Sequence, residues 1–278
     1  MVDADEIIDE VVGDEEMGEA TGLDPTEAVD ADDEPTGLED IEPDVPERTT
    51  FLDYLRSPII QLVVGQGAEQ TTLSAHQALL TKSPWFAAQV DVFSKTTTTP
   101  RTIDLANDDL QATSSVLEYL YKSDYYPRMT GTQSMEYDTT VPQPDNDGIG
   151  LLRHARVYSL AQRFGLPALA SMAHRKITLT QSTARGEIAY ARFVYTETSP
   201  DDITIRKPVA HFWATRSHVL RHEAEAEFKR MCLEFPQFGY DVLSLVLDQQ
   251  EKRSARAEAQ STAPASGRKR QRVSGIVP

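Results

Sequence analysis

Cysteine occurs once in the 278 residues, at position 232, so no intrachain disulfide can form and the disulfide-stapled secreted class is excluded. That scarcity points to a reducing compartment, cytosol or nucleus. Long apolar runs are missing too: none approaches the ~18 to 20 residues that a helix needs to cross a bilayer, so no membrane association is expected. Basic residues are absent from the first 47 positions, where Asp3, Asp5, Glu6, Asp9 and Glu10 interrupt the basic start and apolar core that a secretory signal requires. The expectation is an intracellular protein, with the nucleus favoured over the cytoplasm by the basic cluster described below.

What is present divides the chain by charge. Residues 1–47 carry twenty acidic side chains, and the remainder holds 27 basic against 24 acidic residues, a balance of +3. The net charge of −17 therefore describes a tail. A self-repelling segment poor in aromatics cannot bury enough apolar surface to offset its ordering entropy, so residues 1–48 are expected to be disordered. Ile7-Ile8 and Val11-Val12 stand among the acids, a mix that suits either a solvating tail or a partner-binding segment.

Order is expected from about residue 49. Phe51, Leu52 and Leu55 begin a short helix closed by Ser57-Pro58, because the residue before proline is pushed out of the α region. Ile59 to Val64 reads as a strand apolar on both faces except at Gln61, which suits a strand buried inside a domain. Gly65 and Gly67 mark a turn, and Thr71 to Ala75 a partner strand. Helical spacing starts at His76, and Ser83-Pro84 opens a further helix. After a loop at 96–100, Ile103 and Leu105 alternate with polar neighbours, and Asn107-Asp108-Asp109 starts a helix bearing Ala112, Val116, Leu117 and Leu120.

Residues 127–150, rich in proline and glycine, read as a flexible loop of poor order. Helices follow from Leu151 to Gly165, from Leu166-Pro167 through Ile177, around Ile188 to Tyr195, from about Val209 to Glu234, and from Tyr240 to about Gln250. Beyond residue 250 apolar content collapses and a basic disordered tail, 251–278, is expected.

In this order and spacing, several pieces resemble a BTB/POZ domain of the fungal type over about residues 51 to 180. They are Gln61-Leu62-Val63-Val64-Gly65, Ala75-His76-Gln77-Ala78-Leu79-Leu80, Ser83 through Phe86, Ile103-Asp104-Leu105, Leu117 through Tyr121 with Asp124-Tyr125, and Val157 through Ala161 followed by Leu166 through Leu169. The resemblance implies an α+β fold with a small three-stranded sheet flanked by helices at 49–182, followed by a helical extension at 183–250. It implies no catalysis and no cofactor, and protein partners, among them a second copy as a homodimer, a cullin ubiquitin-ligase scaffold or a corepressor. The positions it singles out are Leu62, Val63, His76, Leu79, Leu80, Ser83, Phe86, Tyr121 and Tyr158. Ile59 stands where many members place the Asp of a charged pocket, and Phe93-Ser94-Lys95 lies nearest to the apolar-x-Glu motif of cullin binders, with the opposite charge. Weak or absent cullin binding is the expectation.

Individual residues that invite a chemical reading have simpler ones. His76 has no nucleophile and carboxylate beside it in sequence, and reads as a hydrogen-bonded histidine locking hairpin to helix. Gly65-Gln66-Gly67 lacks the third glycine of a dinucleotide fingerprint, Gln70 standing there, and reads as a tight turn. His218 and His222, one turn apart, raise a metal site or a metal-dependent hydrolase. At ~100° per residue they fall with His211 and Lys229 within about 20° of one line, opposite Val209, Trp213, Leu220, Ala224, Phe228, Met231 and Phe235, which makes them a solvated face. Arg268, Lys269, Arg270 and Arg272 form a nuclear-import candidate, with nonspecific phosphate contact as the rival. No nucleic-acid reading head is legible, so no specific nucleic-acid binding is expected. The composite expectation is a non-enzymatic interaction scaffold or adaptor, with a cullin substrate receptor and a metal hydrolase as the alternatives.

Overall fold

The structure, a computed structural model, describes residues 50–95 and 101–262. The acidic tail, the 96–100 loop, and the import candidate Arg268, Lys269, Arg270 and Arg272 lie outside the described residues.

Thr50 caps the first helix, α1 (Phe51–Arg56), through a reciprocal capping box with Asp53. Strand β1 (Ile59–Val64) follows at once and becomes the centre of a three-stranded mixed sheet ordered β2-β1-β3. It pairs antiparallel with β2 (Thr71–His76), Leu62 opposite Leu73, and parallel with β3 (Thr102–Leu105), Leu62 opposite Ile103. Ile60, Leu62 and Val64 are fully buried, whereas Gln61 and Val63 are half-buried and Ile59 is exposed. The expected strand with both faces covered is therefore corrected: helices cover one face, and the β-branched residues on the other are partly open to water. Gly65 and Gly67 make the turn with φ of +81° and +60°, a region costly for residues bearing a Cβ.

Between β2 and β3 run α2 (Gln77–Leu80) and α3 (Pro84–Lys95). Asp109 then caps α4 (Leu110–Lys122), accepting from the Ala112 amide at 2.8 Å. Residues 123–148 contain no helix and no sheet strand, as expected, but they are tied down rather than loose. Asp124 accepts from the Met129 amide, Glu136 accepts from the Arg128 amide, and Asp145 caps the next helix by accepting from Ile149 and Gly150. The expectation of poor order overlooked these carboxylates, each of which satisfies backbone donors that a mobile loop would leave to water.

Two antiparallel helices come next, α5 (Ile149–Arg163) and α6 (Pro167–Leu179), joined through Gly165 at φ +69°. The extension continues as α7 (Ala184–Glu197), α8 (Ile203–Glu223), α9 (Glu225–Glu234) and α10 (Pro236–Thr262). One long helix was expected from Val209 to Glu234. It begins a turn and a half earlier, enclosing Pro208, whose missing N–H leaves the Thr204 carbonyl without its helical donor. It also breaks at Ala224, which leaves helical geometry at φ −136°, ψ 49°. The break brings Phe228 to stack on the buried Trp213 ring at 5.3 Å and lets Phe238 meet both edge-on. The last helix runs from Pro236 to Thr262, so the tail assigned to 251–278 is helical over its first twelve positions.

A continuous apolar core spans the sheet, the α5–α6 pair and the extension, from Ile60 through Ala161 and Ala191 to Trp213 and Phe238. Among the described residues no helix is long and apolar enough to cross a membrane.

Candidate interaction surface

The residues singled out from sequence are mostly architectural. Leu62, Leu79, Leu80, Ser83, Phe86 and Tyr158 are buried, so they cannot themselves touch a partner. Ser83 shows why that segment takes its form. Its hydroxyl donates to the Phe164 carbonyl at 2.6 Å and accepts from the Phe86 amide at 3.2 Å, which starts α3 and fastens it to the α5–α6 turn. Phe86 then packs on Phe164 with ring centroids 4.6 Å apart. A Cβ at Gly165 would stand 3.2 Å from Pro84, so close approach and positive φ both select glycine there.

His76 and Tyr121 meet at the end of the sheet. The Tyr121 hydroxyl accepts from the His76 amide at 3.0 Å and lies 2.6 Å from Nδ1. The pair locks β2 to α4, in agreement with the reading of His76 as a structural histidine. Val63, half-buried on the open face of β1, completes the set.

Exposed large apolar side chains lie elsewhere among the described residues, including several of α1. No residue of α1 is buried, and Phe51, Leu52 and Leu55 stand 55%, 51% and 44% exposed, with Ile59 following at 50%. This helix is anchored by its polar groups. Ser57 donates to the Tyr54 carbonyl and accepts from the Ala78 amide, Gln77 donates to the Pro58 carbonyl, and the Lys82 ammonium sits 4.3 Å from the Tyr54 ring centroid. Its large apolar side chains are thus held out on a fixed support. Sequence reading assigned Phe51, Leu52 and Leu55 to a first compact element. The available hint of exposure was the shortness of the helix, too brief to offer one apolar face to the core and another to a partner.

Two buried polar groups have structural partners. The Lys176 ammonium is fully buried, donates to Asp124 at 2.6 Å and to the carbonyls of Tyr125 and Pro127, and faces the Tyr125 ring at 3.7 Å. Burial pushes its pKa down while Asp124 pulls it back up. Nearby, His154 Nδ1 pairs with the Tyr125 hydroxyl at 2.9 Å, and burial, with Lys176 and Arg153 close by, lowers its pKa to about 3. His154 is therefore a neutral imidazole at neutral pH.

His211, His218, His222 and Lys229 are exposed, while Val209, Trp213, Leu220, Ala224 and Met231 are buried and Phe228 and Phe235 half-buried, so the two faces of the helical-wheel argument are kept on either side of the break at Ala224. Among the described residues no group of three or more His, Cys, Asp or Glu side chains is placed to hold a metal ion. Compared with protein-family models the chain matches none, and compared with the curated proteins it likewise matches none.

Proposed function

We propose that this chain is a protein-interaction scaffold or adaptor of the BTB/POZ type, in which residues 49–182 form the docking module and the helices from 183 onward bind a second protein. The observation that carries this reading is the apolar surface of α1 and Ile59, held by hydrogen bonds to its neighbours and not covered by any other described residue. Exposed large apolar groups gathered on a fixed element cost solubility without adding stability, and such patches mark surfaces that a partner covers. A small three-stranded sheet packed against helices, the feature the resemblance implies, supports this reading. Nuclear residence through the Arg268 to Arg272 cluster belongs to the same proposal.

The test is size-exclusion chromatography with light scattering, alongside affinity purification, on the full chain and on a Leu52→Asp/Leu55→Asp variant. The expected result is a self-associated or partner-bound species that the double variant loses while its helical circular dichroism and melting temperature are retained. A wild-type monomer that captures no protein overturns the scaffold reading. Purified cullin added to the same experiment separates the substrate-receptor alternative, for which no binding is expected.

A further inference from the structure

A cavity of about 750 Å³ opens where α6, α7 and α8 meet, within the ~300 to 1,000 Å³ range of ligand pockets. Leu151, Ile177, Val209 and Phe212 give it apolar walls, and Tyr190 adds an aromatic one. Among them stands Glu187, half-buried near the amino end of α7. Its carboxylate has no hydrogen bond and no ion pair with any described residue. A carboxylate taken partly out of water without a partner is costly, and the cost falls when a cation is seated beside it.

The charged and titratable groups around Glu187 are few. From α6 comes His174, from α8 Arg216, and from α7 itself Tyr190, while Leu151 of α5 and the loop residues Gln133 and Gln181 are uncharged. Arg216 is held over the Phe212 ring, 4.7 Å from its centroid, and forms no ion pair with Glu187. Burial raises the Glu187 pKa to about 7, and Arg216 opposes that rise without cancelling it. Three or more clustered metal-ligating groups are not found among the described residues, so a bare metal ion is poorly served. A cation that brings its own hydrogen-bond donors and an apolar stem matches both the lone carboxylate and the apolar walls.

We infer that this cleft seats a basic side chain, a lysine presented by a partner protein, with Glu187 as its counter-charge and Ile177, Val209 and Phe212 along its alkyl stem. This rests on the reading of the chain as an interaction scaffold, and it places the second contact of that scaffold at the junction of α6 with the extension.

The experiment is a methyl-detected NMR titration of the full chain, labelled at Ile, Leu and Val, with N-acetyl-lysine N-methylamide as the probe. Saturable shifts are expected at Leu151, Ile177 and Val209. Affinity is expected to drop about tenfold from pH 8 to pH 6, because a carboxylate titrating near neutrality is mostly ionised at the first pH and mostly protonated at the second. The norleucine analogue, which has the stem without the charge, is expected to produce no saturable shift, and Glu187→Gln to abolish the lysine response. Equal binding of norleucine and lysine, a pH-independent affinity, or an unchanged Glu187→Gln response overturns the assignment; the first two use wild-type protein and need no variant to fold. Butylammonium binding without any response to the lysine derivative overturns the partner side chain in favour of a small amine. A failed titration with partner capture intact refutes this cleft alone, whereas lost capture with the titration intact refutes the scaffold alone.

Discussion

The Tyr158 hydroxyl lies 3.0 and 3.1 Å from the two carboxylate oxygens of Asp202, joining the middle of α5 to the residue that precedes α8 across 44 positions of sequence. Gln162, one turn along α5, donates to the same hydroxyl at 3.0 Å. A tyrosine of α5 thus fastens the start of α8.

Tyr158→Phe keeps the ring in the core and removes only that fastener. A hydrogen bond to a partly exposed carboxylate contributes about 1–2 kcal/mol, so a loss of that size is expected in urea denaturation. Because the core is shared across residue 183, module and extension are expected to unfold in one transition in the wild type and in the variant. Two resolved transitions by circular dichroism and tryptophan fluorescence, the latter reporting on Trp85 and Trp213, would contradict a common core.

Lys176→Met is expected to be among the most damaging substitutions. It strips the Tyr125 and Pro127 carbonyls of their donor and leaves Asp124 without its ion pair, although the Tyr125 and Met129 amides still serve that carboxylate. Breaking a buried pair on one side costs roughly 3–5 kcal/mol. Lys176→Arg, whose planar fork cannot address the same three acceptors, is expected to recover only part of it.

His154 is expected to make the protein acid-sensitive. The unfolded histidine binds a proton near 6.5 whereas the folded one resists until about 3, so stability is complete above 6.5 and declines as the pH falls below it. Each unit is worth at most about 1.4 kcal/mol from this group. His154→Phe is expected to flatten the decline between pH 6.5 and 4.5 while costing about 1–2 kcal/mol at pH 7, because the buried Tyr125 hydroxyl loses its partner. Urea midpoints at the three pH values check both signs.

Glu187 works in the opposite sense. Its pKa is raised from 4.5 to about 7, so the unfolded chain releases the proton first and stability declines as pH rises from 4.5 through 7. With no hydrogen bond or close ion pair to lose among the described residues, and only a weaker attraction to Arg216, Glu187→Gln is expected to stabilise the protein at pH 8 by roughly 1–3 kcal/mol and to make no difference near pH 4. A destabilised variant at pH 8 would mean that the carboxylate is paired in solution.

Much of the local structure was legible from residue order. The alternation around Ile103, the Asp109 cap, the Ser83-Pro84 helix start and the Gly165 stop each depend on interactions within a few positions, where a residue's own sterics and hydrogen bonding decide. The misread segments depended on distant partners. Nothing near Ala224 announces a break, since what bends the chain is the gain from seating Phe228 and Phe238 around Trp213. Asp124, Glu136 and Asp145 look like ordinary loop acids until the amides they bind are known.

The candidate surface divides in the same way. That Phe51, Leu52 and Leu55 sit on one capped helix follows from Thr50, Asp53 and Pro58 alone. That they face water does not, because it depends on Ser57 and Tyr54 gripping α2 and on other side chains already filling the core. Nor could residue order show that Glu187, one acid among many, would stand beside Tyr190 without a hydrogen bond to any described residue, in a cleft formed mainly by α6, α7 and α8. Short-range sterics, caps and apolar periodicity, all written along the chain, determined most of the elements, and distant packing set the boundaries around Ala224. Burial and charge compensation are properties of what surrounds a group in space, and only the packed tertiary structure decided, among the described residues, which apolar side chains stayed exposed and which carboxylate lacked a hydrogen bond.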